Sequence, residues 1–314
     1  MLGLVGLYVG WHPGLQQNGR CVEALRDLLP EGAAVVIFAM TYLVVAIGRL
    51  PGLRLDRAGA ALVGASLMVA SGVLPLDQVP NVIDFKTIIL LLGVMIVVAN
   101  LRLSGFFRLV NGWVVTRARH PIVLLTAVIL VSGVLSAFLV NDTICLVMTP
   151  LVLDLVIDLR RNPVPYLLAI AMASNIGSTA TITGNPQNMI IGSLSHIPYG
   201  AFTAALSPIA GVGLILTVVL IAFAYRSEFW TRQKLQAEPQ PVRISRPIIT
   251  KSIFVTLAMM AGFFAGVAPA LAAMVAGAVL LCAGRIKSEK IYGEIYWTLL
   301  LMFTGLFVVV AGLE

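Results

Sequence analysis

Two short stretches hold most of the side chains that could do chemistry in an otherwise apolar chain. The first is Asn141-Asp142-Thr143, with long apolar runs on both sides. An acid at membrane depth costs about 2.5–3.5 kcal/mol or more unless it is paired, protonated or holding an ion. Buried in an apolar hairpin, Asp142 with the Asn141 amide oxygen, the Thr143 hydroxyl and nearby carbonyls would cage Na⁺, or Asp142 would carry a proton. A helix cap uses the same residue types. The second stretch is 174–188, SNIGSTATITGNPQN, where nine of fifteen residues are Ser, Thr, Asn or Gln. No Lys, Arg, Asp or Glu stands between Arg161 and Arg226, so this polar run belongs at membrane depth. Gly and Asn are weak helix formers, and Pro186 removes a backbone donor. The composition predicts a broken helix: one half over 165–173, an unwound segment, and a second half over 186–195. Asn185 is its N-cap and Pro186 its first residue. Such a break sets carbonyls that suit a cation beside N–H groups that suit an anion. A packing face of small residues would explain Gly177 and Gly184, but not Asn175, Asn185, Gln187 and Asn188 together. Ala at both 184 and 186 is expected to let the helix run through and gain stability.

These stretches need a bilayer around them, and the composition supplies one. The 314 residues are 59% hydrophobic and 11% charged, against roughly 25% charged in a soluble domain. Mean hydropathy is +0.99. The fold class is an all-α polytopic membrane protein. Runs long enough to span fall at 32–50, 58–76, 85–101, 203–225, 252–268, 269–284 and 296–313. Between them lie the hairpin, 121–159 with its tip at Asn141-Asp142-Thr143, and the broken helix, 163–195. Residues 102–120 interleave arginines with Phe106, Phe107 and Trp113, the pattern of an amphipathic helix in the interface. The start MLGLVGLYVG is too short to span and lacks the basic flank of a signal peptide, so segment 1–31 is expected to be an interfacial segment or the remnant of an extra helix. Cys21, Cys145 and Cys282 make no metal motif.

The formal net charge of +7 is a topology signal, so no nucleic-acid partner is expected. Eighteen of the 21 Lys and Arg fall in five basic loops: 49–57, 102–119, 160–161, 226–251 and 285–290. Loops near 77–84, 196–202 and 267–270 carry none. Placing all five basic loops in the cytoplasm satisfies the positive-inside rule and puts the N-terminus outside. Within the spans, Lys86 alone is out of keeping.

The chain also repeats. Shifted by 212 positions, 62–72 falls on 274–284, and 85–101 falls on 297–313. Gly72 meets Gly284, Gly93 meets Gly305 and Ala99 meets Ala311. An odd number of crossings separates the copies, so the second is inverted, the signature of secondary transporters. The expected organisation is a first repeat over 32–225, a cytoplasmic linker over 226–251, and the start of an incomplete second repeat over 252–314.

SAFLVNDTICLVMTP followed by SNIGSTATITGNPQNMI resembles the ion transporter superfamily, which holds divalent anion:sodium symporters, citrate–metal symporters, arsenite permeases and a class of sodium/proton antiporters. The resemblance implies a secondary active transporter in the inner (plasma) membrane, working as a homodimer by an elevator motion. Its substrate would be a small anion, citrate- or dicarboxylate-like or an inorganic oxyanion, with Na⁺ or H⁺ as coupling ion and no other cofactor. It assigns substrate binding to Asn141, Thr143, Asn175, Thr179, Gly184, Asn185, Pro186 and Asn188, and cation coupling to Asn141, Asp142, Ser174 and Gly177. At the tip, Val140-Asn141-Asp142 stands where the anion:sodium symporters carry Ser-Asn-Thr, closer to the Asn-Asp of arsenite permease-like members. A sodium/proton antiporter using Asp142 and a non-transporting half-protein are the alternatives. Motifs of intramembrane enzymes, Gly-x-Ser-Gly and His-Glu-x-x-His, do not occur.

Overall fold

The computed structural model describes residues 32–48, 55–117, 119–230, 246–282 and 286–313, and every regular element among them is an α-helix. The expectations for segment 1–31 and for 231–245 of the linker fall outside the described residues. In chain order the helices are α1 Gly32–Ile47, α2 Arg57–Ala70, α3 Val79–Val82, α4 Phe85–Ser104 and α5 Phe106–Arg117. The hairpin follows as α6 Pro121–Leu139 and α7 Asn141–Asp158, and the broken helix as α8 Pro163–Ser178 and α9 Pro186–Ser195. Then come α10 Tyr199–Ala224, α11 Arg226–Phe229, α12 Arg246–Phe264, α13 Pro269–Cys282, α14 Ser288–Gly293 and α15 Trp297–Ala311. Among the described residues, α4, α6, α10 and α12 are long and apolar enough to cross a membrane.

The helices form two compact units. Among the described residues, the first takes those up to Asp84 and those from Tyr296 onward, the second those from Phe85 to Ile295. In the first, the Asp56 side chain accepts from Gly59 N at 2.8 Å and starts α2. α2 packs closely on α1 and on α15. A Cβ on Gly64 would stand 2.2 Å from the Thr41 hydroxyl, and one on Gly305 would stand 2.7 Å from the carbonyl carbon of Ala61. In lipid, helices gain little from hydrophobic burial against each other, so close approach of small residues supplies the contact.

The second unit makes the same contact with the copies exchanged. A Cβ on Gly93 of α4 would stand 2.6 Å from the carbonyl carbon of Ala273 in α13. Gly93 and Gly305 are 212 positions apart, as are Ala61 and Ala273. The helix starts keep the same spacing: Arg57 with Pro269, and Phe85 with Trp297. Each helix of one copy is therefore closed by the other helix of the other copy.

Three sequence boundaries move. The interfacial helix expected over 102–120 begins only at Phe106, because Gly105 adopts φ +89° and ends α4 after Ser104. Arg102 stays on α4 and pairs with Glu294. α12 starts at Arg246, taking Pro247 and Lys251 from the expected linker. Proline is tolerated there because the first turn of a helix has no acceptors for its donors. α8 does not stop at residue 173; the reason belongs to the site.

Candidate functional site

The site lies wholly in the second unit and begins with a crossing of two glycines. A Cβ on Gly177 of α8 would stand 2.2 Å from the Gly133 carbonyl oxygen of α6 and 2.5 Å from its Cα. Contact that close lets α6 and α8 share polar bonds. The Ser136 hydroxyl donates to Ser174 O at 2.7 Å, and the Thr181 hydroxyl donates to Ala137 O. All four residues are buried.

α7 returns antiparallel to α8. Asn141 Nδ2 donates to Asn175 Oδ1 at 3.1 Å, and one turn further the Cys145 sulfur lies 2.9 Å from Ser174 Oγ. The turn between α6 and α7 is the single residue Val140, at φ 62° and ψ 119°. A β-branched residue there stores strain, on the order of 1–3 kcal/mol. What holds it is the break itself: Asn141 N donates to Gly184 O at 2.9 Å, and the Val140 side chain is fully buried. The two discontinuities are thus one structure.

The break is narrower than expected. α8 continues through Gly177 to Ser178 because the side chains of Ser174, Asn175 and Ser178 bond back along the helix. Ser174 Oγ donates to Ala171 O, Asn175 Nδ2 to Ala171 O, and Ser178 Oγ to Asn175 O. Such bonds let polar residues sit in a helix at little cost, so composition alone placed the end too early. The unwound part is 179–185. Its exit is as expected: Asn185 Oδ1 accepts from Asn188 N at 2.8 Å, and Pro186 opens α9.

The amides of the break are largely spent on the backbone. Asn185 Nδ2 donates to Ser178 O and Ser178 Oγ. Asn188 Nδ2 donates to Thr181 O at 2.9 Å, with Ser178 O and Thr179 O each at 3.4 Å. These two residues sew the end of α8 to the start of α9. Gly184 is required by the same seam, since a Cβ there would stand 2.1 Å from Ser178 O. Ala at 184 must therefore displace this seam before a continuous helix through 184 and 186 could form.

The assigned residues divide by exposure. Thr143, Ser174, Asn185 and Pro186 are buried, Asn141 and Asn188 partly so, and Asn175 and Thr179 exposed. Asp142, expected inside the hairpin, is exposed. Apolar flanks set its depth but not its direction, and the next residue on a helix points about 100° away from its predecessor. Asn141 Oδ1 is buried with no hydrogen-bond partner among the described residues. It is an acceptor open to a cation or to a donor on a ligand. Sequence reasoning missed Cys145, one turn after Asn141, and Tyr199, whose hydroxyl meets Thr183 Oγ1 at 2.7 Å. The i, i+4 spacing from Asn141 could have found the first; nothing in the sequence marked the second. A cavity of about 710 Å³ reaches Ile182, Met189 and Tyr199 from a wall that includes Lys86 and His196.

Apolar spanning helices closed on a paired hairpin and broken helix define an all-α, multi-pass membrane protein, and its relatives make it a transporter rather than an enzyme. Comparison with known proteins agrees. The chain belongs to the citrate transporter family, whose model matches residues 42–314. It is 31% identical to an uncharacterized transporter of Mycobacterium tuberculosis over 88% of this chain and 68% of that protein. A silicon efflux transporter of Oryza sativa is 33% identical over 64% of this chain and 42% of its own length. An inner membrane protein of Escherichia coli is 35% identical over 46% of this chain and 38% of its own.

Proposed function

We propose that this chain carries one half-site of a secondary active transporter for a small anion or oxyacid, coupled to Na⁺ or H⁺ and moving by an elevator mechanism. The observation that carries the reading is the bond from Asn141 N to Gly184 O, with the Asn141–Asn175 pair beside it. It joins two helix discontinuities at membrane depth, where irregular backbone is tolerated only if it is enclosed by protein or lines a cavity. No Lys or Arg lies in either stretch, so an anion would be held by helix N-termini, amides and hydroxyls. Asn141 Oδ1 supports a cation beside it. Relatives named for citrate and silicon make citrate and silicic acid the first solutes to try. Reconstituted vesicles with imposed Na⁺ or pH gradients should accumulate one of them. Solute flux that ignores both gradients would remove secondary active coupling.

The exposure of Asp142 favours a second reading at the same place, in which it exchanges Na⁺ for H⁺ and no anion binds. Asp142→Asn tests the carboxylate that both readings use. We expect the variant to insert normally and to lose cation dependence, with gradient-driven accumulation falling to the level of empty vesicles. Transport at the normal rate with normal cation dependence would reduce Asp142 to a helix cap. Cation exchange without any solute would establish the antiporter.

The proposed setting is the inner membrane, N-terminus outside, with a first repeat over 32–225, a cytoplasmic linker over 226–251 and an inverted second repeat beginning at 252. A homodimer is the expected assembly. Single cysteines at 117, 243 and 287 should resist an impermeant thiol reagent added to intact cells, while one at 197 should react. Labelling of 243 from outside would reverse the topology.

A further inference from the structure

The basic, aromatic helix α5 takes no part in the site, and the groove beside it has a definite chemistry. Val110 and Trp113 of α5 face Ala127, Leu130, Val131 and Val134 of α6 across a cavity of about 390 Å³. With Leu135, the five α6 residues follow i, i+3, i+4, i+7, i+8 spacing, so they form one stripe along the helix. No polar surface lines the groove. Leu130, Val134 and Trp113 are each about half exposed. The mouth differs sharply. Arg117, one turn beyond Trp113 on the same stripe, holds its guanidinium 5.3 Å from the Trp113 ring centre. Arg108 and Arg119 are exposed on the same segment. No Asp or Glu occurs anywhere between Asp84 and Asp142 to balance them.

We propose that this groove is a binding site for one anionic phospholipid, its acyl chain along α6 and its phosphate at Arg117. The stripe from Ala127 to Val134 is about 10 Å long at 1.5 Å per residue, which suits an extended chain segment. An apolar groove alone would accept any lipid. The arginines at its mouth, which have no ion-pair partner among the described residues, select the negative headgroup, since a basic residue at the membrane surface favours anionic lipid by about fivefold. Arg117 is suited to the task because a planar guanidinium can stack on an indole while its N–H groups bind phosphate. The site is separate from the hairpin tip and does not depend on which solute is carried.

Trp113 is its reporter. In the 314-residue chain with Trp11, Trp230 and Trp297 replaced by Phe, Trp113 is the sole tryptophan. The protein is placed in nanodiscs of phosphatidylcholine holding a small fraction of lipid brominated on the acyl chain. Brominated phosphatidylglycerol should quench Trp113 about fivefold more effectively than brominated phosphatidylcholine at equal fraction. Arg117→Gln should erase the preference while leaving quenching by phosphatidylcholine. Val134→Phe, which fills the groove and keeps the arginines, should weaken quenching by both. Equal quenching by the two lipids in the parent protein would overturn the site. So would absence of quenching by either, which would mean that a second copy or another part of the protein covers Trp113.

Discussion

Gly177→Ala should cost the protein about 3 kcal/mol or more, while Gly133→Ala, the other half of the same crossing, should cost far less. The asymmetry comes from what each new methyl would meet. At 177 it would enter the backbone of α6, 2.2 Å from Gly133 O. Neither partner can turn aside, so the helices must separate, and overpacking of that kind exceeds the usual 1–3 kcal/mol. Separation would also break the Ser136–Ser174 and Thr181–Ala137 bonds and draw Asn175 away from Asn141. At 133 the methyl would meet only the Leu214 side chain, at 2.8 Å, which can change rotamer. Thermal unfolding of both variants in one detergent measures the difference. Equal midpoints would mean that α6 and α8 do not touch as described.

Gly184→Ala and Pro186→Ala, made separately, should behave in opposite ways. At 184 the new methyl would stand 2.1 Å from Ser178 O. It would force open the seam made by Asn185 and Asn188 and release the bond that holds Val140 in its strained turn. We expect a loss of about 3 kcal/mol or more together with loss of transport. Pro186 occupies the first position of α9, where its missing donor would have had no partner. Ala is the best helix former and keeps the Asn185 cap, so stability should change by less than about 1 kcal/mol and transport should survive. If Gly184→Ala folded normally and transported, the link between tip and break would not be needed.

Much of this arrangement was legible because some of its causes are local. Asn185-Pro186 reads as a helix start in any context, since a side-chain acceptor and a residue without a donor fit that position. The 212-residue repeat survived because two glycines and two alanines make the same steric contact twice. The end of α8 was not legible. Whether Ser174 and Ser178 break a helix or bond back along it depends on local competition that composition does not resolve. Nor was the direction of Asp142, which depends on helix rotation. The need for glycine at 177 and 184 is set by backbone from elsewhere in the chain, α6 for one and the end of α8 for the other. Sequence showed two polar stretches; only the fold showed that each holds the other in shape.

The exchanged pairing of the two copies has a consequence for the order of synthesis. Ala61 of α2 emerges 244 residues before Gly305, which closes on it. At about 5–20 residues per second, tens of seconds pass between them. During that time α2 has α1, through Gly64 and Thr41, but its alanine face meets lipid or the insertion machinery. α4 waits in the same way for α13. A ribosome that stalled before Trp297 would leave α2 inserted and half matched, a species that membrane quality control could recognise by an unfilled row of small residues.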